Sequence, residues 1–219
     1  MGSIHIPVIV AIVIAYVAGS VPSAYLAGKW RGVDLRTQGS GNLGATNVVR
    51  VLGIRIGAGV FIVDTLKGFL PVFFLPPLTG AAQPEFVALA IGAAAILGHV
   101  RPVFLLGQKG GKGVATAGGV FLGVAWLPAL VAFAVWIVVF ATSRYVSVAS
   151  LSAALALPFA FLMFGHVKLN DPFFIASVVV AIFVFFTHRA NIGRLRRGEE
   201  HRFKSARTTS APPQPPTVA

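Results

Sequence analysis

The chain has 219 residues, 56 % of them hydrophobic and only 11 % charged, with a mean hydropathy of +0.84. A soluble domain cannot hide that much apolar surface, so the composition is that of a membrane protein. The formal net charge of +12 then reads as a signal of membrane orientation and not of nucleic-acid binding, and zero cysteines exclude disulfides, a thiol nucleophile and a Cys-based metal site.

At about 20 residues per span, seven transmembrane helices are expected. Helix 1 covers about Ile4–Gly28, with Pro22 among Gly19, Ser20, Ser23 and Ala24 allowing a bend. Its apolar run lacks a preceding basic region, so it reads as a retained span and not a cleaved signal peptide. A polar stretch to Arg55 follows. Helix 2 runs from about Ile56 to Leu78, interrupted at Asp64–Gly68, and helix 3 from about Glu85 to Leu106. The run Val114–Ala141 is too long for one comfortable helix and divides into two short ones near Trp126-Leu127-Pro128. Helix 6 is about Tyr145–Phe164 and helix 7 about Pro172–Thr187. Residues 1–191 therefore form a membrane domain, and residues 192–219 a basic, Pro-rich tail expected to be disordered. With the N-terminus outside and the C-terminus cytoplasmic, fifteen of the 18 Lys and Arg residues fall on the inner side and only Lys168 on the outer.

Every polar motif lands on that inner side. Gly39-Ser40-Gly41-Asn42-Leu43-Gly44-Ala45-Thr46-Asn47 carries more donors than a linker needs, and Val48, Val49, Val51 and Leu52 around Arg50 predict a short amphipathic helix whose N-terminus faces the loop. That is the chemistry of an oxyanion site. The formal match to a dinucleotide fingerprint fails for want of a preceding strand. Gly107–Gly113 resembles a P-loop but lacks its first glycine and its final Ser/Thr. Lys109, Gly110, Gly111 and Lys112 still offer N–H groups and charge suited to phosphate.

Asp64 and Lys67 share a helix face, either as a structural ion pair or with Lys67 facing the anion pocket. His99 is either a hydrogen-bonded structural residue or a ligand contact. His188 with Asn191 forms a polar face suited to a hydroxylated substrate, and Ser147 and Ser150 stand one turn apart at the start of helix 6. No metal-ligand cluster, carboxylate pair or Ser-His-Asp set emerges, and His99 has no acid near it in sequence. No cofactor is expected. A transporter of phosphorylated solutes is disfavoured because the polar positions gather at one end of the spans and not at their middle.

These motifs, with Gly19-Ser20-Val21-Pro22-Ser23, Asp64-x-x-Lys67-Gly68, Gly98-His99-x-x-Pro102-Val103-Phe104 and His188-Arg189-x-Asn191, resemble the PlsY-type acyl-phosphate:glycerol-3-phosphate acyltransferase family over about residues 19–191. The resemblance implies a bacterial inner-membrane enzyme of phospholipid synthesis, with its site facing the cytoplasm. It would move a fatty acyl group from acyl phosphate to the 1-hydroxyl of sn-glycerol 3-phosphate, giving lysophosphatidate and inorganic phosphate. Its expected partners are these two substrates, membrane lipids and an acyl-phosphate-producing enzyme, and no nucleic acid. On this reading Ser40, Arg50, Lys112 and His188 carry the chemistry, and Gly39, Gly41, Asn42, Thr46, Asn47, Lys67, His99, Lys109, Gly110, Gly111, Ser150 and Asn191 bind substrate.

Overall fold

The computed structural model describes residues 5–165 and 167–203, and every regular element in them is helical. Helix α1 (Val8–Gly19) and helix α2 (Ser23–Trp30) form one bent span, Val8–Trp30. The expected first helix is thus broken at Ser20–Pro22, because proline has no N–H to donate and its ring clashes with the preceding turn. The expected start at Ile4 lies outside the described residues. After a loop comes the short helix α3 (Ala45–Leu52), with Val48 fully buried and Arg50 half-buried.

Gly53, at φ +89°, turns the chain into α4 (Ile54–Leu78). The interruption expected at Asp64–Gly68 does not occur. Both charges are satisfied by neighbours, so the helix runs unbroken through them. Helix α5 (Pro84–Val100) stops six residues short of the expected Leu106, since Pro102 cannot continue it, and a single 3₁₀ turn follows at Val103–Leu105. Then come α6 (Val114–Val124), α7 (Trp126–Ser143), α8 (Val146–Phe164), α9 (Pro172–Thr187) and α10 (Arg189–Arg196). The split near Trp126 is where the sequence places it.

Five segments among the described residues are long and apolar enough to cross a membrane, and a sixth is counted if α9 and α10, bent by 58°, are taken as one broken span. The remaining apolar helix, α6, has 11 residues and is about 17 Å long, well short of a ~30 Å hydrocarbon core. The expectation of a disordered tail from Ile192 is corrected over residues 192–203, which continue α10 and then fold back over the bundle. Its Pro-rich part, 204–219, lies outside the described residues.

Close backbone approach holds the bundle together. A Cβ added to Gly19 would lie 2.1 Å from the Ala95 carbonyl oxygen, and one on Gly98 2.3 Å from that of Tyr16, so α1 and α5 touch along a seam of small residues. Helices α4 and α6 do the same reciprocally, Gly68 against Thr116 at 2.1 Å and Gly119 against Thr65 at 2.0 Å. This is how helices pack where lipid removes any hydrophobic drive for association. Large side chains such as Val138, Met163 and Ile182 point outward, each over 60 % exposed. Phe121 of α6 and Phe161 of α8 are exceptions, buried edge to face at 5.7 Å.

Candidate active site

At one end of the bundle, α3, the loop before α6, the start of α8 and the α9–α10 corner surround a cavity of about 120 Å³. Its first wall is the glycine-rich loop. Asn47, only 1 % exposed, donates its amide to the carbonyls of Leu35 and Gln38, both at 3.1 Å, while its Oδ1 accepts the Ser40 N–H at 2.8 Å. The side chain expected to bind substrate is thus also the latch that shapes the loop. Gly39 and Gly41 serve the same turn, at φ +62° and +68°. A Cβ on Gly39 would sit 2.3 Å from Asn47 Oδ1, so only glycine lets the latch close. Ser40, Asn42, Gly44, Ala45 and Thr46 line the cavity. Helix α3 has no side-chain cap among the described residues, and while the Asn47 N–H donates to the Gly44 carbonyl at 3.0 Å, those of Ala45 and Thr46 precede the first intrahelical bond and face the end where a ligand could bind.

This loop is tied to the second one. The Asp34 carboxyl is held down at about 2 by the Arg36 hydrogen bonds, and Arg36 also donates to Gln108 Oε1 at 2.6 Å. Gly110 and Gly111 do not contact the main cavity. They press on His99, where a Cβ on Gly110 would meet the His99 carbonyl oxygen at 2.1 Å and one on Gly111 the ring Nε2 at 2.1 Å. Their contribution is room for a histidine. Lys109 is exposed and does not line the cavity. Lys112 lines it.

Lys112 Nζ donates to Asn191 Oδ1, Asn191 Nδ2 donates to Glu200 Oε1 at 2.6 Å, and Arg194 Nε donates to Glu200 Oε2 at 2.7 Å. Burial brings the Lys112 ammonium down to about 8, opposed by the nearby Glu200 charge and reinforced by Arg194 and Arg50. Burial pushes the Glu200 carboxyl up, but hydrogen bonds from Asn191 and Arg194 outweigh it and hold the group below its ordinary value. His188, 4 % exposed, has its Nδ1 2.8 Å from the Val184 carbonyl oxygen. A carbonyl only accepts, so Nδ1 carries the hydrogen and Nε2 of the neutral ring is an acceptor. Ser150 completes the wall, its Oγ accepting from Trp136 Nε1 at 3.2 Å.

Lys67 stands apart. Its Nζ lies 2.7 Å from Asp64 Oδ1 and donates to the Val21 carbonyl at 2.9 Å, a carbonyl freed by the helix break at Pro22. Ser23 Oγ donates to the same carboxylate oxygen at 2.6 Å, and Thr116 Oγ1 to the Asp64 backbone carbonyl at 2.9 Å. Lys67 borders a much smaller pocket with Gly110 and Gly111, while His99 borders both. Of the two readings of Lys67, the geometry matches the structural ion pair with Asp64. The acid that His99 lacks in sequence is supplied in space, Asp64 Oδ1 lying 3.6 Å from its Nδ1.

Ten of the sixteen expected residues line the cavity: Ser40, Asn42, Thr46, Asn47, Arg50, His99, Lys112, Ser150, His188 and Asn191. Sequence reasoning missed Glu200, Arg194, Phe61 and Trp136. For Glu200 a signal existed, since Glu199-Glu200 is an acidic pair in an otherwise basic segment. For Trp136 and Phe61 none did, because an aromatic in a span reads as lipid-facing.

Residues 9–198 match the family model described as glycerol-3-phosphate acyltransferase. A glycerol-3-phosphate acyltransferase of Geotalea daltonii is 48 % identical over 196 residues, covering 90 % of this chain and 97 % of the relative. One of Aquifex aeolicus is 44 % identical over 192 residues, covering 88 % and 97 %. Among solved structures, that of PlsY (YgiH), an integral membrane glycerol 3-phosphate acyltransferase in its glycerol 3-phosphate form, superposes with a TM-score of 0.81 at 38 % identity, over 93 % of this chain and 99 % of that one. Its lysphosphatidic acid form gives 0.77 at 39 % identity, over 90 % and 95 %.

Proposed function

The chain belongs to the glycerol-3-phosphate acyltransferase family and is an integral membrane protein, and from that premise we propose that it uses acyl phosphate as donor. The products are then lysophosphatidate and inorganic phosphate. The observation that carries this reading is the meeting of two loops in one cavity, with Arg50 and Lys112 as its cations. Both substrates bear phosphate, and two separately anchored cations at the ends of two glycine loops suit two phosphates better than one.

The step needs no protein nucleophile. The 1-hydroxyl oxygen of glycerol 3-phosphate attacks the acyl carbonyl carbon, a new ester C–O bond forms, and the bond from that carbon to the phosphate oxygen breaks. The hydroxyl proton leaves on the departing phosphate. Ser40, Asn42, Thr46 and the N–H groups opening α3 hold one phosphate, and Arg50 and Lys112 offset charge as it builds. His188, accepting through Nε2, and Asn191 orient the glycerol hydroxyl. Fixing two reactants in one pocket removes a large part of such a barrier, and preorganised donors stabilise the tetrahedral oxyanion.

The placement follows from charge. Seven spans, with α6 as a short seventh, put the N-terminus outside and the cavity on the cytoplasmic side of a bacterial inner membrane, in line with the skewed Lys and Arg distribution. The division into a membrane domain over 1–191 and a basic tail over 192–219 is kept, with 192–203 folded back on the domain. Upstream, an enzyme that makes acyl phosphates must supply the donor.

The test is purified protein in lipid, given palmitoyl phosphate or palmitoyl-CoA with glycerol 3-phosphate, with phosphate and lysophosphatidate both followed. Equal release of both products from the phosphate donor, and none from the thioester, is expected. Transfer from palmitoyl-CoA with a pH-rate profile abolished by His99→Gln would instead make His99 and Asp64 a base pair and overturn the donor assignment.

A further inference from the structure

Arg50 has an unusual set of neighbours for a cation inside a protein. No carboxylate lies within ion-pairing distance of it among the described residues. Its guanidinium instead rests on the ring of Phe203, with Cζ 5.2 Å from the centroid, and Nη2 donates a long 3.4 Å hydrogen bond to the His201 carbonyl oxygen. Both partners belong to residues 199–203, the strap that leaves α10.

That strap is anchored on either side of the contact. Glu200 holds it to Asn191 at 2.6 Å and to Arg194 at 2.7 Å. At the other end the Phe203 N–H donates to the Arg144 carbonyl at 3.0 Å, and the Phe203 ring meets Phe140 edge to face at 5.6 Å. Arg144 closes α7 in the left-handed region, at φ +64°, which is costly for a side-chain-bearing residue. Arg202 stacks on Tyr145 at 5.8 Å. Phe203 is thereby fixed to the α7–α8 corner while its face is presented to α3.

We propose that Phe203 is a positioning residue for acyl transfer, holding the Arg50 guanidinium over its ring so that the N–H edge is directed at a substrate phosphate. A carboxylate in the same place would fix the arginine equally well but cancel its charge. An aromatic face attracts the cation through its quadrupole and leaves the full positive charge for the anion. This role presupposes phosphate binding at Arg50 as described above.

The experiment compares Phe203→Ala, Phe203→Leu and Phe203→Tyr with Arg50→Lys, Arg50→Ala and the double variants on Arg50→Ala, in the full chain purified in lipid. Steady-state kinetics with both substrates are accompanied by calorimetric titration of glycerol 3-phosphate and inorganic phosphate, which needs no turnover. Phe203→Ala and Phe203→Leu are expected to raise by about ten-fold, as loss of a desolvated cation–π contact would, the KM or dissociation constant that Arg50→Lys itself raises. kcat should change less, and Phe203→Tyr should restore wild-type behaviour. In an Arg50→Ala background, which has no cation over the ring, the same Phe203 changes should have under two-fold effect on the dissociation constants. Multiplicative effects of the two positions, or wild-type constants in Phe203→Leu, would overturn the role. Should wild type bind glycerol 3-phosphate yet transfer nothing from acyl phosphate, the donor assignment fails, while the binding constants still decide the role of Phe203.

Discussion

Two groups of charges sit at the polar end of this bundle, and they are handled in opposite ways. Asp64 and Lys67 are each under 10 % exposed and cancel one another at 2.7 Å, with Ser23 and the Val21 carbonyl taking the remaining bonds. Arg50 and Lys112 face the cavity with no carboxylate of their own within ion-pairing distance among the described residues, supported by a ring and an amide. Glu200 lines the same cavity and offsets part of their charge, but its carboxylate is ion-paired with Arg194 at 2.7 Å, so neither Arg50 nor Lys112 has an ion pair of its own among the described residues. The charges of the first group are used up within the fold, while those of the second are the ones the proposed reaction would draw on.

The largest test of this contrast is Asp64→Ala. It strands the Lys67 ammonium, and should destabilise the protein by about 3–5 kcal/mol, read as a large drop in melting temperature in detergent. Replacing both partners with Leu and Met should recover most of the loss. Were Asp64→Ala to melt like wild type while losing activity, the pair would belong with the catalytic charges after all.

Lys112→Ala and Arg50→Ala should behave in the reverse sense. Each is expected to lower kcat/KM by about a hundred- to a thousand-fold, with a melting temperature close to that of wild type, because neither cation is held in an ion pair among the described residues. Asn47→Ala lies between the two classes. It releases Leu35, Gln38 and Ser40 from the latch at a cost of about 1–3 kcal/mol, so stability and activity should fall together.

The smallest expected effect is on pH. Lys112 in the free protein is depressed to about 8 by burial, so it is charged below that pH and neutral above it. Affinity for glycerol 3-phosphate should therefore weaken as pH rises through 8, approaching about ten-fold per unit, in calorimetric titrations. Lys112→Arg, which stays protonated throughout, should flatten that slope. An unchanged slope in Lys112→Arg would place the titrating group elsewhere.

Much of the molecule was legible from residue chemistry alone. Apolar runs of about 20 residues can do little but span, which is why α4, α8 and α9 lie close to their expected bounds. The loop motif, the cation at Arg50 and the His188/Asn191 face were readable because polar residues are costly near lipid and must be there for a reason. What the sequence could not specify was which polar groups cancel. Asn47 and Lys67 carry the same chemistry as a ligand contact, and only their distances to Ser40 and Asp64 show that each is already used within the fold. Glu200 and Phe203 lie outside the apolar pattern, in a segment whose composition reads as disorder, and they enter the site through partners 9 and 153 positions away, Asn191 and Arg50. Composition and periodicity determined the membrane class, the helical architecture and the supply of charge; pairing over long sequence separation, set by helix packing through Gly68, Gly119, Gly19 and Gly98, decided which charges are paired.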